Sequence, residues 1–260
     1  MLVYPQLAGG VPGQYPIVKR RLLRTVTNCA ADGHTVKLSD PGAGVTAWEL
    51  RYSSLMDAEA AVLREFFEKT EGTLQDFTFL DPTSNLLAWS ETLDEAVWTR
   101  GPLLSLESGI ADPMGGTRAS RLTNAGGGSQ SLSQTLAAPG DFLYCLSAYV
   151  RSEQALTITM LLGGARMDRS TANRWSRISF TASGVAGGES VKFGLETPAG
   201  SSVEVFGLQV EPQPAASGYK PSTTGGIYEN ARMRDDALTM TATGPGLHSC
   251  TVYVIHANHI

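Results

Sequence analysis

What this chain lacks narrows its reading before any motif is considered. No apolar run approaches the ~20 residues of a membrane-crossing helix, so no membrane insertion is expected. The three cysteines, Cys29, Cys145 and Cys250, lie far apart in 260 residues. That spacing offers neither a disulfide framework nor a CxxC metal pair, and each is expected as a small buried residue. Charged residues make up only 17% of the chain and the formal net charge is −5, which argues against a nucleic-acid partner. The opening MLVYPQLAGGVPGQYP lacks the charged start and continuous apolar core of a secretory signal. There is no GxSxG turn, phosphate loop or GxGxxG. All four histidines (His34, His248, His256, His259) fall outside the middle of the chain, so a Ser–His pair could not form within it.

What is present points to β-structure. Glycine is abundant, at 28 residues, and short alternating runs are separated by tight-turn clusters. The strongest local signal runs from Trp48 to Asn85. Trp48, Leu50 and Tyr52 alternate with Glu49, Arg51 and Ser53, the period of a half-buried strand. Leu55, Glu59, Val62, Leu63, Phe66, Phe67 and Thr70 then follow helical spacing. Ser54 or Asp57 is the expected cap, Lys69 suits the C-terminal end, and Gly72 supplies the stop. Phe77 to Leu80 reads as a strand closed by Asp81-Pro82. One helix near 57–70, clamped between two strands, is expected to cover one side of a sheet.

The rest follows in order. Residues 1–16, rich in Gly, Pro and Gln, read as an extended arm. PIVKRRLLRTVTN is a strand joined by an Asp32-Gly33 turn to a second strand. Lys19, Arg20, Arg21 and Arg24 on the first strand form a solvated face or grip an acidic neighbour; without interleaved aromatics, nucleic acid is the poorer account. From 86 to 215, after a short helical DEAVW segment, strands recur: TRASRLTN, SQSLSQTL, FLYCLSAYVR, LTITMLL, RWSRISFTA, SVKFGLET and SVEVFGLQVE. NAGGG, APGD, GVAGG and PAGSS separate them, a spacing that suits a β-sandwich. Two further strands, ALTMTATGPG and HSCTVYVIHA, follow, and the apolar last one is expected to pair with the N-terminal unit. The fold class is therefore mainly β: a first domain of residues 1–85 and 216–260 with one prominent helix, interrupted by a sandwich at 86–215. DPTSN and EPQPAASGYKPSTTGG are the expected junctions.

Two stretches resemble known families. WELRY, the acidic helix ending FFEKTEG, and FTFLDP resemble the N-terminal domain of distal tail proteins of tailed phages and gene-transfer agents, over about a third of the chain. NLLAWSETLDEAVWTR, DPMGGTRASRLTN, YCLSAYVRS and NRWSRISFT resemble jelly-roll carbohydrate-binding modules of phage tail proteins. The resemblance implies a virion protein at the tail tip, a ring subunit (hexameric in the family) contacting the tail tube and other tail-tip proteins. Its inserted module would bind a host-surface saccharide, with no enzymatic activity. The alternatives are a tail-associated polysaccharide depolymerase and a purely structural decoration.

Candidate site residues follow. The loop GGARMDRSTANR holds Arg166, Asp168, Arg169 and Asn173, a polar group suited to hydroxyl recognition, or else a solvated loop. Trp175 beside it could form a platform at a rim, although core packing is the better account, as it is for Trp89, Trp98 and Tyr149. The arm 1–16 and Lys19, Arg20, Arg21 and Arg24 are the candidate assembly surface. The scattered carboxylates show no acid–base pair. No metal site is expected: His248 and His256 lie about 27 Å apart on an extended strand at ~3.4 Å per residue, so His248, Cys250, His256 and His259 read as strand packing. No cofactor is expected, though a structural calcium near Asp112 fits such modules.

Overall fold

The structure, a computed structural model, describes residues 2–257. Its elements in chain order begin with β1 (Val18–Cys29), β2 (Thr35–Met56), α1 (Asp57–Lys69) and β3 (Phe77–Leu80). Then come β4 (Thr99–Arg100), β5 (Leu104–Ile110), β6 (Ala119–Asn124), β7 (Gln130–Leu136), β8 (Leu143–Arg151) and β9 (Leu156–Leu162). The chain continues through β10 (Ala165–Thr171), β11 (Ser176–Ser183), β12 (Val191–Thr197) and β13 (Ser202–Glu211). It closes with β14 (Ile227–Met233), β15 (Met240–Gly244) and β16 (Leu247–Ala257).

These elements divide into two compact units, one of residues 1–7, 13–79 and 228–260, the other of 8–12 and 80–227. In the first unit, a sheet in the order β1-β2-β16-β14-β3, with β15 on β16, carries α1 on one side. Of the alternation read in WELRY, Trp48, Leu50 and Tyr52 are buried and Arg51 and Ser53 exposed, but Glu49 is buried too, accepting from Arg20 and Arg51. They meet Ala60, Leu63 and Phe66 of the helix in one core. Aromatic rings fill it, Phe66 against Phe77 at 5.0 Å and Tyr4 against Phe66 at 5.3 Å, both edge to face. Burying each such large side chain contributes about 1.5–3 kcal/mol. The Tyr4 and Tyr52 hydroxyls share a 2.7 Å hydrogen bond inside this core, where burial pushes both phenols above their ordinary range. β16 pairs antiparallel with β2 from Leu247↔Met56 to Ala257↔Val45, the pairing expected for the apolar last strand.

Several local expectations are corrected. Residues 2–7 are no free arm: Tyr4 N–H donates to Thr78 O and Thr78 N–H to Leu2 O, and Tyr4 and Leu7 are buried. An apolar pair this close to a sheet edge is drawn into the core. Neither Ser54 nor Asp57 caps the helix, because β2 runs straight into it. Met56 is the N-cap, and its N–H donates to the Glu59 carboxylate at 3.2 Å. Cys145 and Cys250 are buried, but Cys29 is exposed near the tip of the β1–β2 hairpin, where there is no core to enter.

The second unit is a sandwich of two five-stranded sheets, β11-β8-β13-β6-β5 and β10-β9-β12-β7-β4. Its eight principal strands pair outermost with outermost: β6 with β13, β7 with β12, β8 with β11, β9 with β10, all antiparallel. That is one long hairpin rolled into two layers, the jelly roll. Leu122, Leu146, Val150, Met160, Phe193 and Val205 fill the space between them, each at most 1% exposed.

The divide falls at 79/80 and 227/228 rather than at 85/86 and 215/216. Residues 80–90 and 216–225 belong with the sandwich because their polar groups are satisfied there. The buried Asn85 donates Nδ2 to Leu208 O at 2.8 Å and accepts at Oδ1 from Val210 N–H at 3.0 Å. Lys220 N–H donates to Gln209 Oε1 at 2.7 Å. The segment DEAVW forms successive turns rather than a helix. The stretch read as a loop, GGARMDRST, is the hairpin β9–β10: Gly163, at φ +57°, makes the turn, and Ala165–Thr171 is an edge strand too polar to alternate.

Candidate functional site

The outer face of the β8 sheet is built from the residues that alternate with the core set. On β8, Tyr144, Leu146, Ala148 and Val150 point inward, leaving Cys145, Ser147, Tyr149 and Arg151 outside. On β13 the outward set is Glu204, Phe206 and, after a bulge at Gly207, Gln209 and Glu211.

Half of that face is closed by the chain itself. Gly207 sits at φ +63°, and an added Cβ would come within 3.1 Å of the Tyr219 ring, so glycine is needed on both counts. Tyr219 packs edge-on to Phe206 at 5.1 Å and shares a 3.0 Å hydrogen bond with Ser90 Oγ. Beneath the closing segment lies Glu211, fully buried, accepting from Gln209 Nε2 (2.7 Å), Ser217 N–H (2.9 Å) and Lys220 Nζ (3.0 Å).

The other half is open, and one row of side chains crosses it. Strand register places Arg151 beside Glu204, Glu204 beside Arg121, and Arg121 beside Glu107. Glu204 accepts from Arg151 Nε at 2.6 Å and from Arg121 Nη2 at 2.9 Å; Arg121 Nη1 also donates to Glu107 at 2.8 Å. At the row's end the Arg151 guanidinium stacks on the Trp175 ring, 4.9 Å from its centroid. Beside the row, Arg177 stacks on Tyr149 at 5.5 Å. A cleft of about 410 Å³ adjoins the row, lined by Arg121, Glu204 and the loops Ser152–Leu156 and Gly200–Ser202. Guanidinium and carboxylate groups fixed by paired hydrogen bonds give directional donors and acceptors. A half-buried indole among them gives an apolar plate.

The sequence-predicted residues do not assemble as expected. Trp175 is half-buried on the outer face, outside the core, because its place at the head of β11 keeps it in the outward phase. Arg166 and Asp168 lie on β10, in the other sheet. Arg166 forms a two-pronged ion pair with Glu196, and Asp168 accepts from Thr159 Oγ1 at 2.7 Å. Asn173 is exposed in the β10–β11 turn. Trp98 is buried as expected, its Nε1 donating to Trp89 O at 3.1 Å. Trp89 is 36% exposed, its backbone turned to φ +50° so that the ring leaves the core. Tyr149 is only half-buried, since its phase on β8 faces out. Arg121, Arg151 and Glu204 were missed. The signal was present in the phase of RASRLTN, LSAYVR and SVEVFG, where each charge alternates with core residues.

The Asp112 loop fits a carboxylate held by donors. Its carboxylate accepts from Met114 N–H (2.8 Å), Gly116 N–H (3.1 Å), Arg118 N–H (3.1 Å) and Arg118 Nε (3.1 Å). Burial alone would raise its pKa. The Gly116, Arg118 and Met114 amides and the guanidinium outweigh it and hold the group at about 2. Donors on every side are the opposite of what calcium requires, so this loop does not fit a calcium ion. Near the C-terminus, a register shift separates His248 from Cys250. His248 pairs with Asp57 at 2.7 Å, and burial pushes the Cys250 thiol up to about 11. His259 lies outside the described residues, among which no group of three or more metal-ligating side chains comes together.

In the first unit, Lys19 lies over the Trp48 and Tyr228 rings and donates to the Tyr228 hydroxyl at 3.1 Å. Arg20 pairs with Glu49 at 3.2 Å and Arg24 with Asp40 at 3.5 Å. Glu49 is pushed below its ordinary pKa, chiefly by its hydrogen bond from Arg51.

No family signature matches the chain, and no curated protein does. Solved structures are similar over about half of it. One is the C-terminal family 22 carbohydrate-binding module of Clostridium thermocellum Xyn10B, at 11% identity over 53% of this chain and 99% of that one, TM-score 0.41. Another is the CBM22-1 xylan-binding domain of Paenibacillus barcinonensis Xyn10C, at 14% identity over 51% and 96%, TM-score 0.40. A third is the enzymatically active domain of bacteriophage CBA120 tailspike protein 4, at 10% identity over 51% of this chain and 22% of that one, TM-score 0.40. These likenesses are distant, and the jelly-roll assignment stands on the strand order alone.

Proposed function

We propose that the chain is a structural protein of a phage or gene-transfer-agent tail tip, assembled at the end of the tail tube, whose sandwich holds a host-surface saccharide without cleaving it. The observation that carries the binding half is the open row on the β8 sheet, in which Arg121 and Glu204 line a cleft and Arg151 continues the row to the Trp175 ring. A sugar ring has apolar C–H faces and a rim of hydroxyls, which suit an indole plate flanked by fixed charges. The tail half rests on the resemblance of residues 48–85, whose strand, helix and strand form one unit with the returning β16.

Binding without cleavage is supported by the carboxylates. Glu49, Asp112 and Asp236 are each held below their ordinary pKa by the hydrogen bonds they accept. A glycosidase acid must be pushed up. Both oxygens of Glu204 are occupied by guanidinium groups.

The test incubates the full chain with host surface polysaccharide and assays retention and new reducing ends. Retention without new ends is expected, and Trp175→Ala should weaken it roughly tenfold, the worth of one stacked aromatic, with little change in melting temperature. New reducing ends would replace this reading with a depolymerase. Failure to bind any host fraction would leave a decoration, and absence of the chain from purified particles would end the tail assignment.

A further inference from the structure

A second cleft, of about 580 Å³, lies wholly within the first unit. That volume is in the range of small-ligand sites. Its walls come from strand alternation. Leu50, Tyr52, Cys250, Val252 and Val254 belong to the core shared with α1. The residues between them, Arg51 on β2 and Ser249, Thr251 and Tyr253 on β16, turn to the opposite face of the sheet, and all four line the cleft. Thr251 pairs across the sheet with Arg51, Tyr253 with Glu49, and Thr241 of β15 with Ser249. Thr241 and Asp235 complete the polar lining.

Donors outnumber acceptors here. The buried Glu49 accepts from Arg20 Nη2 at 3.2 Å on one oxygen and from Arg51 Nε at 2.7 Å on the other. Arg51 Nη2 reaches that second oxygen at 2.6 Å, while its Nη1 has no protein partner among the described residues. Arg234 sits 3.6 Å from the centroid of the Tyr253 ring, and both oxygens of Asp235 accept from it, at 3.2 Å and 2.8 Å. Three guanidinium groups therefore meet two carboxylates whose oxygens are already occupied. The Thr241, Ser249 and Thr251 hydroxyls donate to no protein group among the described residues. A cation entering the cleft finds no open carboxylate. An anion finds a guanidinium edge, on a side chain 63% exposed, beside a row of hydroxyls.

We infer that this cleft binds a phosphoryl group, whose oxygens take the open edge of Arg51 and the hydroxyls of Thr251 and Ser249. Arginine and the Ser and Thr hydroxyls are the usual partners of phosphate oxygens. A planar carboxylate is matched by one guanidinium fork, whereas donors rising from neighbouring strands as well suit a tetrahedral group. The cleft shares no residue with the saccharide strip, so a failure to bind here leaves that reading untouched.

Isothermal titration calorimetry of the full chain tests it, with inorganic phosphate and diethyl phosphate added in chloride of matched ionic strength. Saturable binding of inorganic phosphate alone points to free phosphate, and binding of the diester as well points to a phosphodiester chain; either supports the inference. Thr251→Val keeps a strand-forming side chain of the same shape and should weaken binding at least about tenfold, the worth of one hydrogen bond to a charged group. Arg51→Gln should weaken it further. Arg166→Ala, which removes an exposed guanidinium from the sandwich, should change nothing. Binding of neither ligand overturns the inference. So does binding that Thr251→Val and Arg51→Gln leave intact, an equal loss from Arg166→Ala, or acetate bound as tightly as phosphate.

Discussion

On the β9 sheet the outward charges are settled pair by pair: Arg166 grips Glu196, and Asp168 accepts from Thr159. On the β8 sheet the same residue types join into one row, Glu107–Arg121–Glu204–Arg151, ending under Trp175. Both faces are polar and both lie on the same jelly roll. An isolated exposed pair is worth little and holds nothing beyond itself. A row that shares Glu204 between two guanidinium groups fixes several side chains at once, and Arg121 and Glu204 of that row line a cleft. That difference is the reason the proposed binding strip is set on the β8 sheet.

The row's hub should give the largest effect. Glu204→Ala leaves Arg121 and Arg151 without their shared acceptor and lets the guanidinium on Trp175 swing free. With those arginines about one-third exposed, water recovers part of the loss, and about 1–3 kcal/mol is expected from the lost charged hydrogen bonds. Urea denaturation measures it. An unchanged midpoint would show that the row is no more connected than the pairs opposite.

At the covered end of the same face, Asp112 holds Arg118, whose guanidinium lies over Phe206 at 5.2 Å. Asp112→Asn should cost about 1–2 kcal/mol, since the amide cannot accept from all four donors. The pH dependence has a definite sign. The folded pKa is depressed to about 2, below the unfolded ~3.9. The stabilisation is therefore complete above about pH 4 and is lost as pH falls toward 2. Acid titration of wild type against the variant should show the two curves converging in that window; a constant gap would remove the charge from the explanation.

The sequence made the phases legible and left the neighbours hidden. The alternation at Trp48, Leu50 and Tyr52, the helix from Asp57 to Lys69, and seven of the sandwich strands could be read because apolar periodicity reports burial directly. β10 could not, since edge-strand residues such as Asp168 and Arg169 leave no pattern to count. Arg166, Asp168 and Trp175 lie close in sequence but are divided between two sheets by the β10–β11 turn. Arg121, Arg151 and Glu204 lie far apart in sequence and meet through register, which one sequence does not print. The 1–16 stretch misled for a different reason: its Gly and Pro residues suggested freedom, while Tyr4 and Leu7 supplied the burial.

The smallest expected effect is also the sharpest for the comparison. Arg166 is more than half exposed, and its partner Glu196 belongs to the neighbourhood of β10, not to the row. Arg166→Ala removes one exposed ion pair, worth about 0–1 kcal/mol, and touches no residue that lines the cleft. The melting curve should hardly move, and saccharide retention should match wild type while Trp175→Ala loses it. The two variants lie on opposite faces of one sandwich, so a general loss of the fold would show in both. If Arg166→Ala lost binding and Trp175→Ala kept it, the site would move to the β9 sheet, where paired charges and the small residues Ser133 and Gly194 would form its floor. Equal losses from both would mean that binding depends on the integrity of the whole sandwich, and the contrast between its faces would fail.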